Sequence, residues 1–258
     1  MVLFPASFAI SCAFAWARDG RNFPGVGLFY RVCQWSALAV SRALWDLRVE
    51  GRENVPRTGS LLVTANHCSN LDPVFLGSLL PREAGFAAKQ ELFKVFGLGR
   101  LIRALNSIPV DRSSIAPSTL RRFEDWVHSG KALIVFPEGT RSRDGNLKAA
   151  KTGAGMMVAK FGVPVLPVYL EGTDSAVRKI FRRGRVRVIF GKPYTLPSGL
   201  AGSSNEREAF REAARIVMEA IRALRDETER PWGTDLPDEG APARSIRAAA
   251  PAARDPNS

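Results

Sequence analysis

Five consecutive apolar residues, Ala132 to Phe136 (ALIVF), leave this chain few ways to fold. A strand that reads as an unbroken apolar run is covered on both faces, which is the situation of an interior strand in a parallel sheet between helices. Further strand-like runs recur at Leu61 to Val63, Gly85 to Lys89, Ser107 to Arg112, Val163 to Tyr169 and Arg185 to Phe190, with Val49-Glu50-Gly51 as another short strand. Helical patterns stand between them. Pro73 to Leu80 is stopped by Pro81, Glu91 to Leu105 is broken at Gly97-Leu98-Gly99, and Pro117 to His128 keeps Leu120, Phe123 and Val127 on one stripe. Thr152 to Phe161 follows, and then Ser203 to Arg230, where Phe210, Ala214, Val217, Ile221 and Leu224 repeat at helical spacing behind a capping box of Ser203 and Glu206. Strands alternating with helices predict a single α/β domain over residues 48–230, with a largely parallel or mixed sheet flanked by helices.

The flanks differ. Val2 to Ala17 carries no charge and is strongly apolar, yet it is shorter than the roughly 20 residues a transmembrane helix needs and lacks the basic start of a secretory signal. Phe29 to Leu47 sets Phe29, Val32, Trp35 and Leu38 among Arg31, Gln34 and Arg42, the pattern of an interfacial amphipathic helix or of a helix packed on the domain's own core. Residues 1–47 are therefore expected to form a membrane-associating helical region. Residues 231–258, rich in Pro, Ala, Gly and Asp without periodicity, are expected to be a disordered tail.

At 45% hydrophobic the chain can bury a sizeable core, and its net charge of +12 calls for an anionic partner. Zinc-finger spacing, a glycine-rich P-loop and an aromatic-laced basic motif are all missing, so no nucleic acid is expected and an anionic membrane surface or a phosphorylated substrate is. Three cysteines, Cys12, Cys33 and Cys68, without paired spacing point to a reduced, cytoplasm-facing chain.

The segment Leu61 to Phe75, LLVTANHCSNLDPVF, places His67 and Asp72 five positions apart where a strand gives way to a helix. Strand ends of this kind gather ligands and reacting groups in open α/β sheets. An imidazole can take and return a proton near neutral pH, and a nearby carboxylate can hold its tautomer. Asp72-Pro73 also reads simply as an N-cap followed by Pro at the first helical position. Lys89, Arg112 and the turn Glu138-Gly139-Thr140-Arg141 stand at other strand ends. In a parallel sheet they converge on one rim with His67, and their cations suit a phosphate.

Taken in order, Asn66-His67 with Asp72, AAKQELFKVFGLG around Lys89, Val110-Asp111-Arg112, Phe136-Pro137-Glu138-Gly139-Thr140-Arg141-Ser142 and Val163 to Val168 resemble the ordered blocks of the 1-acylglycerol-3-phosphate acyltransferase (lysophosphatidic acid acyltransferase) family. The resemblance spans about residues 48–200. It implies transfer of a fatty acyl group from acyl-CoA or acyl carrier protein, as co-substrate thioester and with neither cofactor nor metal, to lysophosphatidic acid, giving phosphatidic acid. It further implies His67 as general base oriented by Asp72, with Lys89, Arg112 and Arg141 on the phosphate. Glu138, Gly139 and Thr140 would line the acceptor site, and the protein would sit on the cytoplasmic face of the plasma (inner) membrane. The same motifs would serve another acceptor, such as a lyso-ornithine lipid or a lysophospholipid. Two other classes stay open: a metal hydrolase using His67, Asp72 and Glu138, and a catalytically silent lipid-binding module.

Overall fold

The structure, a computed structural model, describes residues 27–111, 116–142, 144–176, 178, 183–197, 200 and 205–228. The expectations for residues 1–26, Arg112, Ser203 and the tail from 231 onward lie outside the described residues. In chain order the elements are α1 (Leu28–Leu44), β1 (Asp46–Glu50), β2 (Leu61–Ala65), α2 (Asp72–Leu79), β3 (Ala84–Lys89), α3 (Leu98–Ala104) and β4 (Ser107–Val110). They continue with α4 (Pro117–His128), β5 (Ala132–Val135), α5 (Thr152–Phe161), β6 (Val165–Glu171), β7 (Arg185–Phe190) and α6 (Glu206–Glu227), and short 3-10 turns follow β1, β3 and β6.

The seven strands form one sheet in the order β1-β7-β6-β2-β5-β3-β4. From β6 to β4 every neighbouring pair is parallel, β7 runs antiparallel to β6, and β1 runs parallel to β7. The sheet is mixed, built on a five-stranded parallel block. ALIVF lies within that block, with β2 on one side and β3 on the other, and all four residues of β5 are buried.

Strand alternation sorts the side chains into two cores. Leu61, Val63 and Ala65 of β2 face α1 and α2, where they meet Leu38, Trp45, Phe75, Leu76 and Leu79. Leu62 faces the other way, among Phe123 and Val127 of α4, Val158 and Phe161 of α5, and Val217 and Ile221 of α6. Right-handed crossovers account for this: connections stepping one way along the sheet place helices on one face, and those stepping back place them on the other. The chain steps outward from β2 to β4 and then returns through β5 to β6, so the C-terminal ends of β2 and β5 lie where the direction reverses.

Several boundaries move from their expected positions. β1 starts at Asp46 and so straddles the boundary placed at residue 48, and α1 is joined to the domain by Gln34 Nε2 donating to the carbonyls of Gly77 and Leu80 (both 2.8 Å). β6 starts at Val165, because Pro164 has no N–H for the ladder and only its carbonyl is used, by Leu62 N–H (2.9 Å). The stretch expected as one broken helix from Glu91 is a 3-10 turn, Gln90–Lys94, and then α3, with Gly97 between them at φ +76°. The N-cap of α6 is Asn205 and not Ser203: Asn205 Oδ1 accepts the Glu208 N–H, and its Nδ2 donates to the Glu208 carboxylate. At the N-terminal rim, buried Arg82 donates to the carbonyls of Pro56, Gly59 and Gly130, a cation at a strand end that ties loops and faces no site.

Helices α5 and α6 approach closely at Gly155, where an added Cβ would lie 1.9 Å from the Phe210 carbonyl oxygen and 2.8 Å from Ala214 N. Gly153, two residues away, meets nothing within 4 Å. Gly155→Ala is expected to destabilise the fold by about 1–3 kcal/mol. Gly153→Ala is expected to stabilise it by up to about 1 kcal/mol through helix propensity. Urea midpoints of the two variants beside wild type check the contrast.

Candidate active site

The loop after β2 is organised by one carboxylate oxygen. Asp72 Oδ2 accepts from His67 Nδ1 (2.8 Å), Cys68 N–H (2.7 Å) and Ser69 N–H (2.7 Å). Asp72 is fully buried at the first turn of α2, and its other oxygen has no partner among the described residues. The side chain therefore does not cap α2 as the plain N-cap reading expects. It reaches back to the loop, and Leu71 stands at the cap position. A carboxylate accepts only, so the His67 proton sits on Nδ1 and the Nε2 lone pair is left to act as a base. Nε2 takes no partner among the described residues, and the ring is stacked on Phe136 at 4.2 Å between centroids.

Neighbouring strands hold the histidine from both sides. Asn66 closes the end of the β2–β6 ladder with its side chain: its Nδ2 donates to Leu170 O (2.9 Å) and its Oδ1 accepts Leu170 N–H (2.7 Å). From β5, Glu138 Oε1 accepts the His67 N–H (3.1 Å), and the His67 carbonyl accepts the Ser142 N–H (2.7 Å). Glu138 Oε2 accepts the Lys148 N–H (3.3 Å), so both oxygens of this buried carboxylate are occupied by backbone donors. Burial raises the Glu138 carboxyl above its ordinary value, against the pull of those two N–H groups.

The turn after Glu138 exposes Thr140 and Arg141. Gly139 has φ +65°, and the Lys151 stem lies over it so closely that a Cβ would come within 2.7 Å of Lys151 Cδ. The Gly139 N–H is engaged with Phe136 O (3.0 Å), which leaves the Thr140 and Arg141 amides as the turn's donors without a partner among the described residues. Lys148 Nζ donates to the Arg141 carbonyl (2.8 Å) and steadies the turn from outside. Lys89 ends β3 on the same rim, half-exposed and 3.2 Å from Glu91 Oε1. With β5 between β2 and β3, Lys89 stands about 10 Å along the sheet from the His67 strand. The residue after Asp111, Arg112, follows β4 one strand farther out and is outside the described residues.

Cys68 follows the histidine but is a poor nucleophile. Burial, then the carboxylates of Asp72 and Glu138, push its thiol up to about 12.

A model of the family described as Acyltransferase matches residues 46–171, which run from the start of β1 to the end of β6 and include every residue of the rim described above. The 1-acyl-sn-glycerol-3-phosphate acyltransferase of Bacillus subtilis is 26% identical over 166 residues, 64% of this chain and 81% of that protein. The probable 1-acyl-sn-glycerol-3-phosphate acyltransferase of Mycoplasma pneumoniae is 33% identical over 190 residues, 67% of this chain and 71% of that one. This chain belongs to the 1-acyl-sn-glycerol-3-phosphate acyltransferase family. The crystal structure of the 1-acyl-sn-glycerophosphate acyltransferase of Thermotoga maritima superposes with a TM-score of 0.59 at 27% identity, covering 87% of this chain and 89% of that one. Against the chloroplast members of the family that it also matches, the chain spans about half their length.

Beside the Glu138 turn stand Lys148 and Lys151, which the sequence alone did not single out. Their signal is the turn former Asp144-Gly145-Asn146, which folds the chain back so that the following lysines return to the Glu138 turn. Glu138→Gln is expected to destabilise the protein by about 1–3 kcal/mol and to lower turnover, because an amide turns a donor toward one of the two N–H groups the carboxylate serves. The pH dependence carries a sign. Above 4.5 the folded chain keeps a proton on Glu138 that the unfolded chain has released, so wild-type stability falls relative to Glu138→Gln as pH rises through the range just above 4.5. Urea midpoints of both proteins from about pH 4 to 7 test this.

Proposed function

We propose that the protein moves a fatty acyl group from a coenzyme A or acyl carrier protein thioester to the free hydroxyl of 1-acylglycerol 3-phosphate, giving phosphatidic acid. The observation that carries this reading is the His67 imidazole, 6% exposed, with Nδ1 locked on Asp72 and Nε2 unengaged beside the Glu138–Arg141 turn. His67 Nε2 takes the proton of the acceptor hydroxyl as its oxygen attacks the thioester carbonyl, and Asp72 stabilises the charge that develops on the ring. The C–S bond breaks as the ester C–O bond is completed, and the proton passes from His67 to the departing thiolate. No acyl-enzyme is required. Lys89, Arg112 and Arg141 hold the acceptor phosphate from successive strand ends, and the amides of Thr140 and Arg141 are the donors for a substrate oxygen.

The metal-hydrolase alternative meets a structural obstacle. Both Glu138 oxygens accept backbone N–H groups, which leaves neither free to ligate a metal. Among the described residues no three metal-ligating side chains converge.

The proposed site of action is the cytoplasmic face of the inner membrane, with residues 1–47 holding the protein on the bilayer. Support comes from α1, which turns Tyr30, Gln34, Leu38 and Ser41 inward and leaves Phe29 and Trp35 about half-exposed, at 53% and 46%. A helix serving only its own core would bury the phenylalanine and the indole before the glutamine. Among the described residues no helix is long and apolar enough to cross a membrane.

Thiol release by the purified protein, supplied with acyl-CoA and a panel of lyso-lipids, tests the assignment. His67→Ala is expected to lower turnover by about 10²–10⁴ with the fold retained. Cys68→Ala is expected to stay within about threefold of wild type, since a thiol titrating so high is not a working nucleophile. Wild-type release by His67→Ala would reject the base. In the same assay Arg141→Ala should raise the acceptor KM with a smaller effect on the donor's, and an unaltered acceptor profile would contradict its phosphate role.

A further inference from the structure

Among the described residues, the exposed large apolar side chains gather on one side of the sheet. All eleven exposed large apolar side chains among the described residues lie on α1, on α2 or between Leu92 and Leu101, and α4, α5 and α6 contribute none. α1 and α2 cover one face of the sheet. The stretch around α3 joins that face through Phe86, which packs both on the core beneath α1 and α2 and on a small cluster of Ala88, Phe93 and Ile102.

Phe96 is the extreme case. It is 92% exposed at the tip between the 3-10 turn and α3, with Val95, Leu98 and Leu101 also exposed beside it. A phenylalanine in that position cannot be explained by packing, and single exposed apolar residues that need no explanation do not arrive in one cluster. The charge along this stretch is predominantly positive. From Gln90 to Ala104 the cations are Lys94, Arg100 and Arg103, and the sole acid, Glu91, is paired with Lys89. The Arg100 guanidinium lies 5.8 Å from the Phe96 ring centroid and that of Arg103 5.2 Å from Phe93, so the positive charge sits at the base of the apolar tip.

We propose that Leu92 to Leu101 is a second lipid-docking element, independent of α1, that fits the surface of a bilayer containing anionic phospholipid. Phe96 and Leu98 enter the boundary between headgroups and acyl chains, and Lys94, Arg100 and Arg103 meet the phosphates. A bilayer is the occupant that matches both features: apolar groups spread over three elements on one side of the sheet define a plane, and the cations among them complement an anionic headgroup layer. The tip begins directly after Lys89, on the rim that carries His67, so docking presses the site against lipid and lets the acceptor's phosphate reach the rim without its acyl chain leaving the membrane. The placement rests on the reading that the acceptor is a membrane lipid.

The test uses the full chain and co-sedimentation with vesicles of phosphatidylcholine alone or mixed with an equal part of phosphatidylglycerol. Phe96→Ser with Leu98→Ser is expected to lower partition onto the mixed vesicles about tenfold. Arg100→Gln with Arg103→Gln is expected to lower it about fivefold per charge on mixed vesicles, and to leave binding to pure phosphatidylcholine unchanged. Both variants should turn over a lysophosphatidate short enough to be monomeric in water at the wild-type rate. Failure of wild type in that monomer assay would count against the proposed reaction, and the vesicle measurement would still read docking by itself. Undiminished vesicle binding by both variants would overturn the proposal. So would self-association abolished by Phe96→Ser in analytical ultracentrifugation, which makes a second copy the occupant, or a raised KM for a carrier-protein donor with vesicle binding intact, which makes it an acidic protein.

Discussion

Three N–H groups converging on Asp72 Oδ2 hold the loop after β2 in its shape. A buried carboxylate is costly unless donors surround it, and here the donors are the two backbone amides after His67 and the ring nitrogen itself. The same contact thus satisfies the charge, curls the chain into the start of α2 and selects the tautomer that leaves Nε2 as a base. The other Asp72 oxygen, buried and without a partner among the described residues, leaves Oδ2 as the single point on which these three donors meet.

That loop is held still because three adjacent strands grip its neighbours. Asn66 extends the ladder to β6 with a side chain in place of a backbone, and Glu138 with Ser142 fastens the histidine's own backbone to the strand on the other side. Connections after β2 and after β5 step in opposite directions along the sheet, which puts these two loops side by side at its carboxyl edge. For the base proposed at His67 such placement matters, since a displacement of about 1 Å can cost about 10²-fold in rate.

The apolar exterior follows from the same layering. The face carrying α4, α5 and α6 is closed by stripes of Phe, Val, Met and Ile whose outer sides are charged, and the face carrying α1 and α2 is closed with a tyrosine and a glutamine turned inward while aromatics look outward.

Much of this was legible in one dimension. ALIVF announced a strand buried on both faces, the alternation of strand and helix announced the sheet, and His67 with Asp72 marked the loop, because periodicity and breaker residues act locally. Even so, local signals could not say that the Asp72 side chain turns back to the loop instead of capping α2, that Asn205 caps α6, or that Glu138 spends both oxygens on amides 71 and 10 residues away. They also left open which side of α1 faces inward, since Gln34 is buried only because the carbonyls of Gly77 and Leu80 come within reach of its amide. Those outcomes are set by hydrogen bonds between parts of the chain distant in sequence, and only the tertiary structure brings their donors and acceptors together.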